Sequence, residues 1–280
     1  MVLPMTHETP LISIITPYRD SRLFLPGLVA TLQAQTCTHW ECLLVDHASS
    51  DSGGDLSTAL TAADARFRHL CEPDSRPFPA LPRNRALKAA RGELICFLDA
   101  DDLWHPEKLE RQLAFHLDGE LELSVTAYGR FSSSIRAAQG ATDAEVLELP
   151  RSWRARCPPA QINLHQLWFG NPIPMLTVMA NRSLLAISAL GSGPFSPMRH
   201  EDYLLWLQLW QSRPQVRYGC LQEILAYHRR HGANLTSQRW RSLLWTYRLF
   251  CAAGSGRIPA AVRSSRSAAI AMFRAFLEGF

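Results

Sequence analysis

The 280-residue chain has no Cys-x-x-Cys pair, and its seven cysteines, an odd number, lie scattered from Cys37 to Cys251. Zinc ribbons and dithiol redox motifs are thereby excluded, and Cys42, Cys96 and Cys220, in apolar surroundings, read as reduced core thiols. No stretch reaches the ~18 consecutive apolar residues of a membrane span. The start, Met1 to Pro10, carries His7 and Glu8 without an apolar core, unlike a signal peptide. The expected location is cytoplasmic, with contact at the inner face of a membrane left open. Net charge is only +4, so charge alone does not point to nucleic acid, and 47% hydrophobic residues exclude a disordered chain. There is no internal repeat and no low-complexity tract.

What is present is a short apolar run that stops in acids: Leu94-Ile95-Cys96-Phe97-Leu98-Asp99-Ala100-Asp101-Asp102. Its length suits a strand buried on both faces. The carboxylates then sit where a parallel strand hands over to a loop, the ligand position of open α/β sheets. In extended chain Asp99 and Asp101 share one side and Asp102 takes the other. Two carboxylates on one side repel unless a cation or proton lies between them. Their oxygens suit Mg²⁺ or Mn²⁺, whose shells are completed by phosphate. The plain alternative is an acidic first turn for the helix near Pro106.

Around this run, strand-like and helix-like segments alternate as a parallel sheet requires. Strands are expected at Leu11–Thr16, Glu41–Val45 and Phe67–Leu70, and helices at Leu23–Gln35, Leu56–Ala63, Arg83–Arg91 and Pro106–Leu117. Asp74–Pro82 is expected to be irregular. Further on, Leu121–Phe131 can hold one or two strands, Ser132–Pro159 reads as a long loop and Ile162–Phe169 as a helix. Leu176–Ala180 is strand-like, and Asp202–Trp210 is apolar on nearly every side, as a buried helix would be. Two helices follow Leu235, broken around Gly254-Ser255-Gly256. Trp206 and Trp210 read as core.

Several of these strand ends carry polar residues in a familiar order. Ile12-Ser13-Ile14-Ile15-Thr16-Pro17, Glu41 to Asp46, Ser49-Ser50-Asp51, Arg83-Asn84 with Ala86-Leu87, Phe97 to Asp102, Glu201-Asp202-Tyr203-Leu204-Leu205-Trp206 and Tyr227-His228-Arg229-Arg230-His231 follow one another at family-like spacings. Together they resemble the family 2 nucleotide-sugar glycosyltransferases over roughly residues 10 to 240. The resemblance implies a GT-A fold, an α/β architecture with a mostly parallel, helix-flanked sheet and here a C-terminal helical extension. It divides the chain into residues 1–234, with a nucleotide-binding half at about 10–117 and an acceptor half at about 118–234, and an extension at 235–280.

By the same resemblance Asp202 is the general base, with Glu201 positioning it or the acceptor; from sequence alone the pair are helix-start acids. Asp46 ends a buried strand and can accept from uracil or thymine N3–H or from ribose hydroxyls, or simply cap the next helix. Arg83 opens a helix after a proline-rich loop, where its fork suits a phosphate or ribose, or a surface ion pair. Asp99 and Ala100 are expected at the donor sugar nucleotide, Asp101 on the Mn²⁺ or Mg²⁺ ion, and His231 on the metal or diphosphate, or merely on the surface. Pro17-Tyr18-Arg19-Asp20 stands where the family has Pro-Thr-Tyr-Asn, so the base stacks on Tyr18 or on the flat guanidinium of Arg19. His47 replaces the second acid of an Asp-Asp pair, and Arg85 a glycine.

The implied reaction is inverting, metal-assisted transfer from a UDP- or TDP-sugar to a glycan or lipid-linked acceptor in cell-surface polysaccharide or glycan synthesis. The alternative is a non-catalytic nucleotide-sugar-binding or scaffold protein on the same fold. A nucleotidyltransferase would need a glycine-rich phosphate loop after the first strand, and Pro17 to Leu23 contains no glycine. A phosphohydrolase would carry its acid pair after that first strand. Basic residues lean toward the C-terminal half, where the helices can pack on the rest, form a homodimer or touch a membrane.

Overall fold

The computed structural model describes residues 11–132, 155–187, 193–230 and 239–265. Ile12–Tyr18 (β1), Trp40–Asp46 (β2), Phe67–Cys71 (β3) and Leu94–Phe97 (β4) pair in parallel, joined through the helices Leu25–Gln33 (α1), Gly53–Ala63 (α2) and Ala80–Ala89 (α3). β1, β2 and β4 are largely apolar and buried because both faces are covered, whereas β3, at the edge, is only half-buried. Ile15, Leu43, Val45, Ile95 and Phe97 enter one core layer. Ile12, Ile14, Cys42, Leu44 and Cys96 enter the other, against Leu25, Leu28 and Leu32 of α1.

The rest of the chain extends the same sheet. Leu103–Trp104 (β5), Lys108–Asp118 (α4), Leu123–Ser132 (β6), Leu164–Leu167 (α5), Met179–Asn181 (β7), Arg182–Ile187 (α6), Glu201–Ser212 (α7), Tyr218–Arg230 (β8) and Arg239–Ala252 (α8) follow in order, with a further helical stretch over 257–265. The strand order is β3-β2-β1-β4-β7-β6-β8-β5. β7 runs antiparallel to β4 and β6, while β6 and β8 run parallel to each other and β5 closes the edge antiparallel to β8.

Several segments differ from the sequence expectation. β5 and β8 are strands the pattern did not announce, and α3 begins within the proline-rich stretch, at Ala80. The helix expected at Ile162–Phe169 shrinks to α5, one turn held by an Asn163–Gln166 capping box. The strand expected at Leu176–Ala180 starts as a 3₁₀ turn, Met175–Thr177, before β7. α7 and the C-terminal break around Gly254 follow the pattern; the long loop expected at Ser132–Pro159 lies mostly outside the described residues.

At the strand N-terminal ends one carboxylate closes a polar cluster. Glu41, 1% exposed, accepts from Ser13 Oγ (2.7 Å), Arg91 N (2.7 Å), Arg91 Nε (3.0 Å) and Arg68 Nη1 (2.7 Å). Burial raises its pKa, but these donors outweigh it and hold the carboxyl below the usual range. Gly92 passes so close that a Cβ there would meet Ser13 N at 2.6 Å.

Candidate active site

The opposite, C-terminal ends of the strands gather the remaining acids. After β4 the chain turns, with Asp102 N–H donating to Asp99 O at 3.0 Å. Asp102 points inward and is 2% exposed; its Oδ1 accepts from His228 Nδ1 (3.0 Å) and Arg229 N (2.9 Å) on β8. Burial lifts Asp102 to about 6, against the pull of His228. Burial would lower His228, but its bond to Asp102 prevails and raises it. Arg229 Nε also donates to Asp101 O at 2.8 Å, so β8 clasps the acidic turn. Asp99 and Asp101 stay partly exposed while Ala100 is buried. Alternation predicts the same division of the three acids; here a turn makes it.

Arg83, on α3 and 4% exposed, lies between two acids distant in sequence. Its Nη2 donates to Asp99 Oδ1 at 2.7 Å and its Nη1 donates to Glu201 Oε1. Burial works against the guanidinium's charge, but the flanking carboxylates raise its pKa. Its Nε has no partner among the described residues. Glu201 is lifted to about 7 because burial outweighs the attraction of Arg83. The arginine thus ties the turn after β4 to the first residue of α7.

The next residue, Asp202, faces the other way and is only partly buried. Its Oδ2 accepts from Asn171 Nδ2 at 2.8 Å, while Ile173 N–H donates to Asn171 Oδ1 at 3.1 Å and so fixes which side of the amide faces the acid. Immediately before the pair, His200 adopts φ 60°, and its Nε2 is buried without a partner among the described residues. Burial lowers its pKa and favours the neutral ring.

Beyond β2, Asp46 Oδ1 accepts from Ser49 N at 2.9 Å, and a Cβ at Gly54 would come within 2.9 Å of Oδ2. Pro17 and Tyr18 are buried in β1, and the Tyr18 hydroxyl contacts Ser57 Oγ (2.7 Å) and His69 Nε2 (3.2 Å) beneath α2. Of the two residues offered for stacking, Arg19 is therefore the one that lies open, its Nη1 donating to Ser75 O at 2.8 Å. His47 is 4% exposed, and its Nε2 has no partner among the described residues. His231 lies outside the described residues. The site also contains Asn171, His228 and Arg229, of which the sequence singled out only the last two, as motif letters. For Asn171 the available signal was the Gly170-Asn171-Pro172 turn.

No three His, Cys, Asp or Glu side chains converge to hold a metal among the described residues. The donor chemistry nevertheless fits Mg²⁺ or Mn²⁺, which bind through one or two carboxylates and take substrate phosphates for the rest. Asp101 and Asp99 supply such oxygens, whereas Asp102 is engaged by β8.

The family model described as glycosyl transferase family 2 matches residues 13–171. TuaG of Bacillus subtilis (strain 168), named as a teichuronic acid biosynthesis glycosyltransferase, is 29% identical over 244 residues, 87% of this chain and 88% of that protein. The UDP-Glc:alpha-D-GlcNAc-diphosphoundecaprenol beta-1,3-glucosyltransferase WfgD of Escherichia coli is 28% identical over 235 residues, 83% of this chain and 82% of its own. Among solved structures, S. aureus TarS 1–349 in complex with UDP-GlcNAc superposes with a TM-score of 0.63 at 19% identity, covering 89% of this chain and 69% of that one. Mannosyltransferase PcManGT from Pyrobaculum calidifontis, in complex with GDP-Man and Mn²⁺, gives 0.62 at 16% identity, over 98% and 77%. These likenesses establish a GT-A fold. The chain belongs to glycosyl transferase family 2. It is a glycosyltransferase.

Proposed function

We propose that this chain moves a sugar from a nucleoside-diphosphate sugar to an acceptor hydroxyl with inversion at the anomeric carbon, Asp202 serving as the general base. The observation that carries this reading is the Arg83 bridge. One buried guanidinium binds Asp99, beside the acidic turn, and Glu201, beside the open carboxylate of Asp202. Donor-side and acceptor-side acids are thereby held in one constellation.

On the donor side, Asp46 has no partner at Oδ2 among the described residues and can accept there from a pyrimidine N3–H or a ribose hydroxyl, and Arg19 offers a flat cation to the base. This supports a UDP- or TDP-sugar, in keeping with the UDP-Glc in the name of WfgD and the UDP-GlcNAc bound by TarS. A divalent cation on Asp101, with Asp99 beside it, would offset charge on the departing diphosphate. On the acceptor side, Asn171 fixes Oδ2 of Asp202 and leaves Oδ1 to take the proton of the attacking hydroxyl. The acceptor class we favour is lipid-linked, as in the name of WfgD.

The test is nucleoside diphosphate release from a panel of UDP- and TDP-sugars with polyprenyl-diphosphate-linked acceptors. Asp202→Asn is expected to lower kcat by ~10²–10⁴-fold while leaving donor binding intact. Turnover within tenfold of wild type would remove the base from Asp202. Donor binding without turnover on any acceptor would favour the scaffold alternative.

A further inference from the structure

The charges of this chain are sharply segregated. Up to Glu223 there are twenty Lys and Arg against twenty-four Asp and Glu. From Ile224 to Leu277 there is not one acid, and nine arginines occur, of which Arg229 and Arg230 end β8 and the other seven follow it. The net charge of +4 thus conceals an acidic catalytic part and a strongly basic C-terminal part.

In the described portion of that part, exposed cations and exposed apolar side chains share the surface. On α8, Leu249 and Phe250 are fully buried, whereas Leu244 is 50% exposed and Arg248, one turn further on, is exposed. In the 257–265 stretch, Ala260 and Ser264 are buried; Arg257 is exposed, Ile258 is 81% and Val262 63% exposed. Ile258 and Val262, one turn apart, share a face that nothing covers among the described residues.

The helices that carry this surface pack against the acceptor side. Tyr203 of α7 packs on Phe250 of α8 at 6.0 Å, and the Arg199 guanidinium lies 4.6 Å from the Trp245 ring, next to His200 and the Glu201-Asp202 pair. Arg263 covers Trp168 at 4.1 Å, close to the Asn171 turn. No helix of the described residues is long and apolar enough to cross a membrane.

We infer that this face lies on an anionic lipid bilayer, Ile258, Val262 and Leu244 entering the headgroup boundary and the arginines pairing with lipid phosphates. Arginines without compensating acids are attracted to a negatively charged leaflet, and apolar residues among them gain by insertion. The exposed apolar residues favour lipid over nucleic acid, for which the arginines alone would suffice. The inference extends the lipid-linked acceptor reading by giving the acceptor's lipid a surface on helices that pack against α7, but lipid binding needs neither donor nor turnover.

The experiment is co-sedimentation of the full chain with vesicles of phosphatidylcholine alone and with 30 mol% phosphatidylglycerol, in ~50 and ~300 mM salt, two conditions chosen to differ in screening. Binding is expected only with the anionic vesicles, weakening at high salt. Arg248→Glu with Arg257→Glu should reduce partitioning at least ~10-fold at low salt. Ile258→Ser with Val262→Ser should remove what persists at high salt, and both double variants should melt as wild type does. Asp202→Asn should bind vesicles normally, which separates this test from that of the catalytic assignment. No anionic binding at low salt, or binding unchanged by the charge reversal, would overturn the inference. So would a solution dimer that Ile258→Ser with Val262→Ser dissolves, because the face would then belong to a second copy.

Discussion

Glu41 and Asp202 are two acids at opposite ends of one sheet, and they meet opposite fates. Glu41 is 1% exposed and accepts four hydrogen bonds from Ser13, Arg68 and Arg91. Asp202 is partly exposed and accepts one among the described residues, from Asn171. A carboxylate whose acceptor capacity is consumed by the fold serves the scaffold. One whose capacity is left open, on a rigid helix start beside a buried arginine, serves a ligand. Both belong to segments that resemble the same family, so motif membership alone does not separate the two roles.

The sharpest way to break this comparison is to exchange the phenotypes. Asp202→Asn should lose turnover by the orders of magnitude given above with its melting midpoint nearly unchanged. Glu41→Ala should cost about 3 kcal/mol of stability, because it strips partners from a buried cluster, while kcat stays within about twofold. Urea unfolding and steady-state kinetics on the two variants decide it. A Glu41→Ala protein that is stable but inactive would dissolve the distinction.

Asn171 supplies a smaller effect. Removing its amide in Asn171→Leu should reduce kcat about tenfold, the scale of one hydrogen bond to a charged group. Asn171→Asp should in addition move the acid limb of the kcat/KM profile upward, since a like charge beside Asp202 favours its protonated form. Profiles superposable on wild type would mean that Asn171 merely closes its turn.

A separate effect lies in the pH dependence of stability. Glu201 titrates at about 7 in the fold and, once unfolded, near its ordinary 4.5. Between those values the folded state holds the extra proton, so this group's stabilisation is complete below about pH 4.5 and fades as pH rises through about 7. Asp102, at about 6, contributes in the same direction. Urea midpoints should therefore fall between pH 5 and 7.5, and Glu201→Gln should make the fall shallower. An unchanged slope in that variant would place the titration elsewhere.

How much of this was legible in the sequence depends on distance along the chain. The strands β1, β2 and β4 announce themselves because burial on both faces demands largely apolar runs. β8 does not, since Gln222, Glu223 and His228 interrupt it and its partner β6 begins almost a hundred residues earlier. The inward turn of Tyr18 was readable in principle: alternation along β1 sets it on the side of Ile12 and Ile14, in the same core layer. The tie from Arg83 to Glu201 spans 118 residues and the bond from Asn171 to Asp202 spans 31. Neither has a local pattern; the family resemblance named Arg83 and Glu201 separately but not their pairing, and nothing pointed to the second.

The central claim is that the open acids at the strand C-terminal ends form a cation-dependent donor site, and calorimetric titration tests it most directly. UDP, TDP, GDP and CDP would each be titrated into wild type and Asp101→Ala, with and without Mn²⁺ or Mg²⁺. The account predicts that UDP or TDP binds only with the cation and that Asp101→Ala abolishes this binding with its melting midpoint unchanged. Nucleotide binding that ignores both the cation and Asp101, or no binding by any of the four, would contradict it.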